Sequence, residues 1–200
     1  CICRDIRTEK AWIYIPTGSG GLEFPFLIPC SLQLREGKLG HMDNTQADYH
    51  ENGLYHIKRA LEKVALQQWG DAALEPYQKN LKQADKSSLA TFVRTCAVYF
   101  LAGVLSEIKE DVRRRLPEFG TLTDDYIAVN LAVPVADAER PQVNSLYHQV
   151  LSEAWILSDL FNGHPIIGIE ELKRLASEVS EEEKQSKGDS CFIYPETSAN

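Results

Sequence analysis

No stretch of the 200 residues reaches about 18 consecutive apolar positions, so the sequence predicts no transmembrane helix. Its first ten residues are charged rather than apolar, and no secretory leader is read there. Basic charge is scarce. Lys and Arg total 21 against 29 Asp and Glu, a net charge of −8, which argues against nucleic acid or an anionic membrane as the main partner. The only basic run, Arg113-Arg114-Arg115, reads as the solvated C-terminal turn of a helix. Five irregularly spaced cysteines make no disulfide framework, which points to a reducing, cytoplasmic setting. Cys1-x-Cys3 has no second Cys/His pair at ligand spacing. Thr17-Gly18-Ser19-Gly20-Gly21 is followed by neither Lys-Ser/Thr nor a helix, so it reads as a turn rather than a phosphate loop. Nucleophile-elbow, zinc-protease and EF-hand motifs are missing, internal repeats are missing, and the five histidines are scattered.

What the chain does have is a conventional globular balance, 44% hydrophobic and 25% charged, enough for one or two domains with a sizeable core. Residues 1–34 read as β, with strand-like Ala11 to Ile15 and a second strand region from Phe24 to Leu34. Pro25 and Pro29 predict an edge or bent strand there. Arg35-Glu36-Gly37-Lys38 is a hairpin turn. Ile57, Leu61, Val64, Ala65 and Gln68 form a helical stripe. Ser87-Ser88 is expected to cap a long helix from Leu89 to Leu116, whose apolar stripe is too broad for a single partner. Tyr126 to Val133 reads as a strand buried on both faces and ends at Pro134. A helix from Val143 to Phe161, stopped by Asn162-Gly163, and a strand from Cys191 to Tyr194 complete a crossover unit. Residues 168–187 read as a charged surface helix that fades into a linker.

Two polar residues are singled out. Lys58 opens a helix, where an ammonium can meet a phosphate or orient a nucleophilic water. Glu196 follows a strand, at the end where parallel sheets present ligand groups, and a carboxylate there can hold hydrated Mg²⁺.

The segment order resembles the ATPase domain of DnaK-type chaperones, of the actin/hexokinase superfamily. Ile13-Tyr14-Ile15-Pro16 through Phe24-Pro25-Phe26-Leu27-Ile28 is similar to that family's early hairpin, with Phe26 where the family has Ser. Leu39-Gly40 is similar to its Val-Gly, and Ile57-Lys58-Arg59-Ala60-Leu61 to its Ala-Lys-Arg-Leu-Ile. Val129 to Arg140 and the helix after it resemble the strand, Val-Pro turn and Arg/Gln-rich helix. Glu196-Thr197-Ser198-Ala199 resembles Glu-Pro-Thr-Ala, although the order here is Pro195-Glu196-Thr197 and the insert between Phe161 and Cys191 is longer.

The resemblance implies an α/β fold, part of a ribonuclease-H-like lobe I with an inserted helical subdomain. Residues 1–56 would be its β-hairpin part, 57–125 the helical subdomain and 126–200 the strand-helix-strand core. It implies ATP and Mg²⁺ as cofactors, Lys58 and Glu196 as catalytic groups, and Glu196 as the ligand acting through the metal's water shell. The partners implied are a second lobe and a protein client. The family's first phosphate hairpin would lie before Cys1, and its second hairpin and lobe II after Asn200, so weak ATP binding by these 200 residues alone is expected. Three alternatives stand beside this reading. One is a non-catalytic scaffold of the same fold. Another is a sugar or metabolite kinase relative, for which Asp124, Asp125 and Asp137 are the nearest candidate bases. The last is an unrelated α/β domain with coincident order.

Overall fold

The computed structural model describes residues 2–5, 9–15, 30–41, 53–81, 85–115, 127–179, 182 and 188–195. The chain is a mixed α/β protein. Strands β1 (Ile2–Asp5) and β2 (Lys10–Ile13) form an antiparallel hairpin with Cys3 opposite Trp12. Strands β3 (Ser31–Arg35), β4 (Lys38–His41), β5 (Gly53–Tyr55) and β7 (Ile167–Gly168) make an antiparallel sheet in the order β5-β3-β4-β7. The β3–β4 turn pairs Arg35 with Lys38 across Glu36 and Gly37, at φ 52° and 75°. Both lie in the left-handed region, and the Gly meets that demand without a Cβ penalty. The strand expected at an edge is instead flanked on both sides. Its ladder begins at Ser31, after Pro29, so no proline interrupts it.

Helix α3 (Lys86–Arg115) is the core of the molecule. Around it pack α1 (Ile57–Ala65), the short α2 (Glu75–Gln78), α5 (Pro141–Leu157) and α6 (Ile169–Glu178). Val93, Cys96, Ala97, Tyr99, Ala102 and Val104 are buried on several faces of one helix, as the broad stripe predicts. The cap is Asp85 rather than Ser87 or Ser88. Its Oδ1 accepts from Ser87 N at 2.9 Å and Ser88 N at 3.0 Å, the pattern a short carboxylate satisfies at a helix start. By length and composition α3 is apolar enough to cross a membrane, but 67% of its most apolar window is buried within this fold.

The crossover unit is present. Strands β6 (Val129–Val133) and β8 (Cys191–Pro195) pair in parallel from Val129↔Cys191 to Val133↔Pro195, and the short α4 (Val135–Ala138) and α5 lie between them. The expectation of burial on both faces is corrected. Val133 and Cys191 are buried and Val129, Leu131 and Ile193 pack on the core, whereas Asn130, Ala132, Phe192 and Tyr194 are exposed. Among the described residues, helices cover this sheet on one side only. Helix α5 also stops at Leu157, earlier than Asn162-Gly163, and Ser158 Oγ donates to Trp155 O at 2.5 Å in the closing turn.

The β1–β2 hairpin is fastened to α3 by two carboxylates. Trp12 Nε1 donates to Asp111 Oδ2 at 3.1 Å, and Tyr14 Oη donates to Glu107 Oε2 at 2.5 Å. His164 Nδ1 lies 3.3 Å from Glu107 Oε1, and that contact, helped by Tyr14 against the cost of burial, holds the Glu107 carboxyl below its usual range. Burial pushes Asp111 up, but hydrogen bonds from Arg114, Arg115 and Trp12 outweigh it and its carboxyl is also held low. Depressed values mean that this stabilisation is present above the unfolded carboxylate range and is lost as pH falls through the folded values. The hairpin is therefore expected to stay docked near neutrality and to loosen below about pH 4. The Trp12 indole N–H resonance should keep its folded position at mild acidity and collapse below that point. An indole signal unchanged down to about pH 2 would contradict the assignment.

Candidate functional site

A cleft of about 600 Å³ opens where α1 meets the carboxyl end of β6. Each wall has a local cause. Tyr77 Oη donates to Tyr55 O at 3.1 Å and fixes the end of β5. His56 then turns the chain at φ 57°, a conformation uncommon for a residue with a Cβ, and α1 begins without a side-chain cap. Buried Ile57, Ala60 and Leu61 anchor α1 on the core and leave Lys58, Arg59 and Glu62 lining the cleft. Tyr147 of α5 donates to Lys58 O at 2.9 Å, tying the first turn of α1 to the crossover helix.

The opposite wall is the turn after β6. Pro134 ends the strand, and α4 places Asp137 in the cleft. Burial, then the neighbouring Glu62, raise the Asp137 carboxyl above its ordinary value, with Arg140, Lys58 and Lys63 opposing. A charge network borders the site. Arg140 reaches Glu62 at 3.2 Å and Asp137 at 3.9 Å, and Lys63 lies 3.3 Å from Glu62. Cys30 is exposed as a residue, but its sulfur receives the backbone N–H groups of Ile57 and Lys58. Burial nevertheless dominates and pushes the thiol up to about 11, so it is no ready nucleophile.

Lys58, singled out in the sequence, lines this cleft together with Pro134, the residue that the resemblance also marks. Glu196 lies outside the described residues. The last described residue of β8, Pro195, pairs with Val133 directly before Pro134. Of the three aspartates weighed as kinase bases, Asp137 lies in the cleft, whereas Asp124 and Asp125 fall outside the described residues. So does the Thr17 to Gly21 turn. The sequence reading missed Glu62, Arg140 and Tyr147. The four-residue spacing of Lys58 and Glu62 was the available signal, since it puts both on one side of a helix. It also missed the approach of two scattered histidines, His41 and His164, whose ring centroids are 4.9 Å apart.

A second cavity, about 460 Å³, lies between the β3–β4 turn and the start of α3. Its ionisable lining residues, Glu170 and Lys173, are exposed and pair with each other at 2.8 Å, so it concentrates no chemistry. Among the described residues no group of three or more His, Cys, Asp or Glu is placed to hold a metal ion. No protein-family model, curated protein or solved structure matches this chain.

Proposed function

We propose that the chain is lobe I of a DnaK-like Mg-ATP-binding ATPase of ribonuclease-H-like fold, which couples hydrolysis to lobe closure and to binding of a partner or client. The observation that carries this reading is the position of Lys58. It lies in a cleft at the carboxyl end of a parallel strand pair joined by a crossover helix, where open α/β sheets bind their ligands. In this reading Lys58 orients the attacking water, and Glu196, next in sequence after Pro195, holds the hydration shell of Mg²⁺. The bond from water oxygen to the γ-phosphorus forms as the bond to the bridging oxygen breaks. Positioning and charge neutralisation carry such a transfer.

The donor set suits Mg²⁺ in a limited way. Magnesium is held by one or two carboxylates together with waters and substrate phosphates, not by a closed protein cage. Glu62 and Asp137 line the cleft but are already paired, Glu62 with Arg140 and Lys63 and Asp137 with Arg140, and no cage is formed among the described residues, so Glu196 is the carboxylate that would hold the ion. The bound ion would neutralise phosphate charge.

The test is Mg-ATP turnover by the full-length gene product beside Lys58→Ala. The variant is expected to lose about 100-fold, or ~2.7 kcal/mol of transition-state stabilisation. Unchanged turnover in the variant would remove Lys58 from the mechanism. No turnover in either protein, with no nucleotide bound, would favour the scaffold.

A further inference from the structure

We propose that Glu107 couples two segments that dock on α3, the β1–β2 hairpin and the return from α5 to β7, so that each helps to hold the other in place.

One face of the helix clasps the return. Tyr99, Gly103, Ser106 and Glu107 share that face, because residues three and four apart on a helix lie above one another. Tyr99 Oη donates to Pro165 O at 2.7 Å. Ser106 Oγ donates to Phe161 O at 2.8 Å and accepts from Gly163 N at 3.3 Å. The His164 ring lies so close on Gly103 that a Cβ there would stand 2.3 Å from its Cδ2. Among the described residues this ring has one polar attachment. Its Nδ1 lies 3.3 Å from Glu107 Oε1, and its buried Nε2 has no hydrogen-bond partner.

The hairpin depends on what its side chains grip. Among the described residues its two strands pair only with each other, and a lone two-stranded ribbon is marginal in water. Tyr14 is 2% exposed, between the exposed Ile13 and Ile15, and brings its hydroxyl to the other oxygen of Glu107. One carboxylate therefore has a partner on each oxygen, one from the hairpin and one from the return. Each partner orients the carboxylate for the other, and the rotamer freedom that Glu107 gives up is lost once for both contacts. With the Tyr14 hydroxyl gone, the His164 contact alone must order the side chain. From the return the coupling runs on into the four-stranded sheet. Ile167 of β7 pairs with Leu39 of β4, and the ring of His41, at the end of β4, lies 4.9 Å from that of His164.

The experiment is native-state hydrogen exchange on the full chain near neutral pH, read at the Gly163 amide and at the Trp12 indole N–H. Tyr14→Phe removes only the hydroxyl and is expected to speed exchange at Gly163 by about 3- to 10-fold. His164→Ala should speed exchange at the Trp12 indole by a similar factor, because a coupling between two sites is reciprocal. In a Glu107→Ala background, Tyr14→Phe should change the Gly163 rate by less than about 1.5-fold, since the residue that joins the two contacts is gone. Three results would each overturn the coupling: an unaltered Gly163 rate in Tyr14→Phe, an unaltered indole rate in His164→Ala, or an effect of Tyr14→Phe that persists without Glu107. The two single variants decide even if Glu107→Ala fails to fold. No nucleotide enters the measurement, so its outcome is independent of the ATPase reading.

Discussion

Trp155→Ala is expected to destabilise the fold by about 4 kcal/mol, a large share of the ~5–15 kcal/mol that holds a domain folded. Trp155 is 1% exposed, sits on α5 against α3, and is the largest fully buried side chain among the described residues. Truncation leaves a cavity that two packed helices cannot close without moving. It also removes a second support. The Lys109 ammonium lies 3.7 Å from the centroid of the Trp155 ring, in a residue only 3% exposed. Without the ring, a buried cation loses the π face that accommodates it. Urea unfolding should show a much lower midpoint at unchanged slope. Trp155→Phe keeps a ring and should cost less than half as much. A loss under about 1 kcal/mol for the Ala variant would mean that α5 repacks freely against α3.

Asp159→Ala is expected to cost about 3 kcal/mol, although it deletes a residue that is partly in solvent. Lys109 Nζ donates to Asp159 Oδ1 at 2.6 Å, with side-chain exposures of 3% and 37%. The asymmetry decides the sign and size of the effect. Asp159 can be hydrated without its partner, but Lys109 is enclosed by α3 and α5 and keeps its charge away from water. Removing the carboxylate takes away its nearest counter-charge and leaves the Trp155 ring and carbonyl, at 3.7 Å and 3.4 Å, to offset only part of the cation's desolvation. Removing both charges should restore much of the loss, so Lys109→Met combined with Asp159→Ala should be more stable than Asp159→Ala alone. Thermal unfolding of the four proteins in this cycle measures the coupling. A double variant no more stable than Asp159→Ala would show that the pair is held by packing rather than charge.

The legible parts of the sequence were those governed by local rules. Gly37 announced its hairpin, since a two-residue turn with left-handed dihedrals needs a residue like it. The apolar residues around Cys96 and Tyr99 announced a helix covered on several sides. The strand, helix, strand order after Val129 announced a parallel pair. What failed depended on neighbours. Ser87 and Ser88 were plausible caps until Asp85 took their amides. The β6 strand was apolar enough for two covered faces, but Asn130 and Ala132 stay exposed because covering needs a second layer that composition does not encode. In the cleft, Lys58 was found from its place at a helix start. Asp137 was weighed only as one of three aspartates, because its burial and its place beside Lys58 arise in three dimensions.

Helix α3 runs for 30 residues, roughly 45 Å, and packs on α1, α2, α5, α6, β3 and β4 on the way. Its central amides can therefore be reached by solvent only when those neighbours let go together. Deuterium should enter Val98 to Val104 at the rate of global opening, so this one helix would serve as a clock for the whole molecule. Helix α6, which buries only Leu172, would exchange through cheaper local openings and run ahead of it.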